Sequence, residues 1–183
     1  MSGAVRPAPP PPKEVRGTGG PPVGLAAVGT GAKRSAAPVP TYHWLKLRAL
    51  CHPTEDVARV RKALEFVAGA AVDVDDTAVE THHGLALHVL EASLEKSRAL
   101  RNVLDRIFEV EGALEVLRAS VDSRTDDDGV FFLRVEKQDA FLGKLTLTSG
   151  EDCIQIRLKV EAYPANREAA LGVLREILAA GRA

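Results

Sequence analysis

The sequence predicts an α+β fold: a largely antiparallel sheet with helices packed on one of its faces. Three observations carry this. Apolar residues alternate with period two over Tyr42 to Leu50, Val130 to Glu136 and Cys153 to Glu161, as in strands with one buried face. They recur at helical spacing over Val57 to Val67, Ser97 to Phe108 and Arg167 to Ala180, as in helices with one apolar stripe. Short turns separate neighbouring strands, which favours antiparallel pairing over long parallel crossovers.

The chain of 183 residues divides at about Pro40. Nine of the eleven prolines and seven of the fifteen glycines precede that point. So do five basic residues and only one acid, which leaves 19 basic and 24 acidic residues beyond it. Residues 1–40 therefore read as a disordered, basic, Pro/Gly-rich tail that cannot bury enough apolar surface to offset its ordering entropy. Within it, Gly24 to Ser35 fails the phosphate-loop pattern, because Lys33 follows an alanine and no strand precedes. Residues 41–183 read as one domain.

In the first strand Leu45, Leu47 and Ala49 share one face, and Tyr42, Trp44, Lys46 and Arg48 the other. Pro53-Thr54-Glu55-Asp56 reads as a helix start, with a capping hydroxyl and acids in the first turn. Val57, Val60, Leu64 and Val67 form the stripe of that helix, and Gly69 is its stop. Val72 to Thr81 reads as an acid-rich strand. Leu85 to Leu94 has bulky residues on both faces, which places it inside the sheet. Ser97 to Phe108 is a helix with Leu100, Val103, Leu104, Ile107 and Phe108 on one side, and a short helix follows over Ala113 to Ala119.

The stretch from Asp122 to Gly143 joins an acidic turn, Asp126-Asp127-Asp128-Gly129, to an alternating strand that stops at Lys137-Gln138. Lys144 to Thr148 reads as a further strand, joined through a hairpin turn at Ser149 to Asp152 to the strand from Cys153. Pro164 closes that strand. The last helix presents Leu171, Leu174, Ile177 and Leu178. The predicted order is β-α-β-β-α-α-β-β-β-α.

The face opposite the helices carries the chemistry. It is predicted to hold Trp44, Lys46, Arg48, Phe132, Arg134, Lys144, Arg157 and Lys159, against the acids Glu136 and Glu161. Basic side chains neutralise phosphates and aromatic rings stack on bases, so RNA is one reading of this face. A merely solvated face and a homodimer interface are two others. Asp126, Asp127 and Asp128, with Asp122, offer carboxylates for a divalent ion and hence for nuclease chemistry, but acids before a glycine also make an ordinary turn. His82 and His83 are adjacent, so in a strand they point apart. No serine sits in a nucleophile elbow. No catalytic residue, metal or cofactor is expected.

Cys51 and Cys153 read as two free buried thiols rather than a disulfide. No apolar run approaches the ~20 residues of a membrane-spanning helix, and the N-terminus lacks a secretory pattern. A cytoplasmic location without membrane partners is the expectation.

Asp126-Asp127-Asp128-Gly129, Phe132-Leu133-Arg134, Lys137-Gln138, Ala140 and Gly143 resemble the signature of an archaeal predicted exosome subunit and RNA-binding protein family. Glu136 stands where that family has aspartate. His52-Pro53-Thr54-Glu55-Asp56 and Ala162-Tyr163-Pro164 are similar to further family blocks. His83-Gly84 matches in part, but Leu85-Ala86 replaces the family's asparagine-proline. The resemblance covers Tyr42 to about Ala180. It implies the sandwich fold of the ribosomal protein that binds 5S RNA, an RNA partner, and exosome proteins as further partners. It also implies Arg134, Lys137 and Gln138 as RNA contacts. The residues leave open a second role for Lys137 and Gln138, locking the Asp126 to Asp128 turn.

Overall fold

The computed structural model describes residues 42–182 apart from 70, 81–83 and 85. The expectations for the tail over 1–40, for His82 and His83, and for Leu85 lie outside the described residues. The elements run β1 (Tyr42–Cys51), α1 (Val57–Ala68), β2 (Asp75–Glu80), β3 (Ala86–Leu94), α2 (Ser97–Phe108), α3 (Ala113–Ser120), β4 (Val130–Glu136), α4 (Lys137–Phe141), β5 (Cys153–Val160) and α5 (Arg167–Ala180).

The five strands form one sheet in the order β2-β3-β1-β5-β4, with every neighbouring pair antiparallel. Alternation sorts each strand. Leu45, Leu47 and Ala49 of β1, Leu133 and Val135 of β4, and Ile154 and Ile156 of β5 are all buried. They join one core with Leu64 and Val67 of α1, Leu100 and Leu104 of α2, and Leu171, Leu174, Ile177 and Leu178 of α5. The α+β architecture is as the sequence predicts.

Four local features differ from the expectations. Tyr42 lies in the core at 3% exposure, not on the open face with Trp44. A bulge sets Tyr42 opposite Val160 and Trp44 opposite Lys159, and the extra residue turns the Tyr42 ring to the helix side. Its hydroxyl is buried without a hydrogen-bond partner among the described residues. Burial pushes its pKa up to about 12, with the Arg101 charge opposing and Asp105 adding.

Asp56, rather than Thr54, caps α1: its carboxylate accepts from the backbone N–H of Ala58 at 2.8 Å and of Arg59 at 3.4 Å. Gly69 ends this helix at φ +74°, as predicted.

The chain leaves β4 directly into α4. Residues 144–148 then form no strand with β5, because β1 and β4 already occupy both sides of β5. They run instead along the outer side of β4, where Glu136 N–H donates to Thr146 O at 2.9 Å and Thr148 N–H to Arg134 O at 3.0 Å.

The acidic turn covers the other half of that side. Phe132 N–H donates to Arg124 O at 2.8 Å, and Asp126 N–H to Val130 O at 3.0 Å. The Asp126 carboxylate accepts from Val130 N–H at 2.8 Å, which is the turn role of an aspartate. Gly129 has φ +72°, and a Cβ there would fall 2.7 Å from Ala170 Cβ. Gly129→Ala combines a left-handed backbone penalty of roughly 1–2 kcal/mol with that clash. We expect it to lower stability by about 2 kcal/mol or more, read as a lower urea midpoint with an unchanged m-value.

Candidate nucleic-acid interface

The antiparallel register fixes which side chains share the open face, since residues directly opposite point the same way. Lys46 lies opposite Ser93 on one side and Arg157 on the other, and Arg157 lies opposite Phe132. The next row runs Glu91, Arg48, Gln155, Arg134. On the other side of the Lys46 row stand Trp44, Lys159 and Val130. Strands lie about 4.8 Å apart and alternate residues about 6.7 Å along each strand. The cations of β1, β5 and β4 therefore share a patch roughly 10 Å wide and 14 Å long.

Their environments differ. Arg48 pairs with Glu91 at 3.5 Å. Arg134 donates to the carbonyls of Ser149 and Gly150 at 3.3 and 3.4 Å. Lys159 donates to the Asp128 carbonyl. Lys46 and Arg157 stand at the centre, and among the described residues neither is ion-paired with a carboxylate. Each lies against an aromatic ring instead: Lys46 Nζ is 5.3 Å from the Trp44 centroid and Arg157 Cζ 5.4 Å from that of Phe132. Arg157 Nε is buried without a hydrogen-bond partner among the described residues. Such cation–π contacts are worth about 0.5–1 kcal/mol at exposed sites, against roughly 1–3 kcal/mol for a base on an aromatic ring, so an incoming base can displace the cation. The face is also polarised, because Asp75 opposite Glu91 makes the β2 side acidic.

Seven of the expected residues thus come together: Trp44, Lys46, Arg48, Phe132, Arg134, Arg157 and Lys159. Three do not. Lys137 is buried at 2% exposure, the reverse of an RNA-contacting lysine. Its ammonium donates to Leu50 O at 2.9 Å and to Glu55 Oε2 at 2.7 Å, and it also pairs with Asp152. Burial alone would depress its pKa. The hydrogen bonds and charges of Asp152 and Glu55 outweigh that and hold the ammonium above its usual range. Gln138 is exposed on α4, beside Thr54, Asp56, Arg59 and Phe141 of a different surface. Lys144 sits on the loop after α4, 3.7 Å from Asp139.

Neither Lys137 nor Gln138 locks the acidic turn. Lys159 holds it through Asp128 O, and Arg167 holds it through Thr125 O at 3.2 Å and Asp122 O at 2.7 Å. The Asp122 carboxylate pairs with Arg175 at 2.6 Å.

Arg124 was not expected at the interface. It lines a shallow cleft of about 250 Å³ with Phe132, Arg134 and Ser149. Its signal lies in the turn, which doubles back along β4 and so carries Arg124 to the sheet. Among the described residues His52, Glu55 and Asp152 bring possible metal-ligating atoms within 4.8 Å of one another. The Lys137 ammonium already neutralises two of these groups. Cys51 and Cys153 are free and buried, and burial pushes both thiols up. Among the described residues no helix is long and apolar enough to cross a membrane.

Known proteins match this domain over nearly their whole length. A family model described as RNA binding matches residues 44–160. A Pyrococcus abyssi protein named RNA-binding protein PAB1135 is 32% identical over 146 residues, which is 74% of this chain and 93% of that protein. A solved structure from Methanothermobacter thermautotrophicus is 34% identical with a TM-score of 0.65, covering 75% of this chain and 98% of that one. One from Archaeoglobus fulgidus is 29% identical with a TM-score of 0.67, covering 75% and 99%. With its own residues 44–160 matched and archaeal relatives aligned almost end to end, the chain belongs to this archaeal RNA-binding protein family.

Proposed function

We propose that the protein is a non-catalytic, cytoplasmic RNA-binding protein that engages RNA with the open face of its sheet. The observation that carries this is the central pair Lys46 and Arg157, side by side, without a carboxylate partner among the described residues and backed by Trp44 and Phe132. Arg48, Arg134 and Lys159 extend the patch, each already held by an ion pair or by backbone carbonyls. Fixed cations position a phosphate backbone, and displaceable ones expose rings to bases. The resemblance to an exosome-linked family supports a role beside RNA-processing proteins.

The test is fluorescence anisotropy with single-stranded and structured RNA across a salt series. About three phosphate contacts on a single strand give a slope of roughly −2 in log K against log salt. Absence of binding at low salt, or binding indifferent to salt, contradicts the proposal. RNA cleavage that requires Mg²⁺ contradicts its non-catalytic part. Use of the face for self-association instead would show as a mass that Phe132→Asp halves in sedimentation, with RNA affinity absent.

A further inference from the structure

Tyr163 is 98% exposed, the most exposed large apolar side chain among the described residues. It follows β5 and stands at the rim of an open notch of about 610 Å³. That volume lies within the roughly 300–1,000 Å³ of small-ligand clefts. Ala162, Ala165 and Ala170 make its apolar walls, and His43, Glu161 and Asn166 its polar edge. Lys159 lines it too and also faces the basic patch, opposite Trp44. The notch therefore continues the sheet face around its β5–α5 corner.

We propose that this notch is a subsite for one unpaired nucleobase, stacked on Tyr163. The inference rests on the RNA-binding reading above and adds to it where a base, as distinct from the backbone, is held. An aromatic ring exposed to water is a platform that every base can use, because every base has a π-face. The polar edge suits a base better than a phosphate. The Glu161 carboxylate repels a phosphate but accepts from the amino group of a base. The Asn166 side-chain oxygen already accepts from Ala169 N–H at 2.9 Å, which leaves its amide N–H groups to donate. Lys159 spends one N–H on Asp128 O and keeps its charge and two more donors for the adjoining phosphate. A protein partner fits less well. Tyr163 shares its notch with Lys159, which also faces the basic patch opposite Trp44, and that continuity favours a nucleotide.

The test uses the full chain with one RNA oligomer carrying 2-aminopurine, presented single-stranded and as a duplex. Tyr163→Ala should weaken single-strand binding about fivefold or more and abolish the 2-aminopurine fluorescence change. Tyr163→Phe should retain both. Duplex affinity, salt slope and melting temperature should be unchanged by either variant. The subsite is overturned if Tyr163→Ala binds single strands like wild type, if duplex binding falls equally, or if only binding of a protein partner is lost. Failure of the RNA reading looks different: wild type then binds neither form at low salt, whereas failure of the subsite alone leaves binding that still depends on Lys46 and Arg157.

Discussion

Lys137→Met is expected to destabilise the domain by about 3 kcal/mol while leaving the open face intact. Removing one partner of a buried ion pair typically costs roughly 3–5 kcal/mol, because the remaining charge stays uncompensated. The low end applies here. The Glu55 side chain is 19% exposed, but that of Asp152 is 51% exposed and can rehydrate. Leu50 O loses a donor as well. Urea unfolding at neutral pH reads the loss, and a shift under 1 kcal/mol would remove Lys137 from the groups that hold the fold. The pH dependence has a definite sign. The folded-state pKa of Lys137 is raised from the ordinary 10.5. Its stabilisation is therefore full below about 10.5 and is lost as pH rises through the higher folded value. Wild-type stability should fall in that alkaline window more steeply than that of Lys137→Met.

The double substitution Lys46→Gln with Arg157→Gln should weaken RNA binding about tenfold or more at moderate salt. It should also flatten the salt dependence by roughly 1.4 for a single strand, about 0.7 for each phosphate contact removed. Folding should hardly change, since each substitution gives up one cation–π contact of about 0.5–1 kcal/mol. Arg59→Gln with Lys62→Gln is the matched control. It removes the same charge from α1, where both cations lie over Phe141 at 5.8 and 5.3 Å. An equal loss in the control would mean that the domain's overall charge, rather than the sheet face, attracts RNA.

The sequence made some features legible and hid others for physical reasons. Ser97–Phe108, Val130–Glu136 and Arg167–Ala180 form the predicted elements because each buries one side, and burial writes its period into the chain. The same period assigned Lys46, Arg157 and Phe132 to the open face. Lys144, which the strand pattern set on that face, and Lys137 and Gln138, which the resemblance implied as RNA contacts, all follow Glu136, where alternation ends and the chain turns into α4. Period carries no information past that point. The setting of Lys137 depends on Glu55, 82 residues earlier in the chain. The Tyr42 bulge is likewise a two-strand property, visible only once β5 is laid beside β1.

The two margins of the sheet are finished differently. The free side of β4 is sheathed by residues 124–126 and 146–148, whereas β2 is exposed at every position. Unpaired strand margins are templates on which further chains can add, and charge is one way that proteins discourage it. Asp75, Asp76 and Glu80 line β2. Two copies brought together along this strand would set acid against acid. Growth of the sheet into a continuous ribbon is thus opposed at one margin by covering and at the other by repulsion. The basic patch stays a finite area of one molecule, so arrays on long RNA would be spaced by the RNA rather than by the sheet.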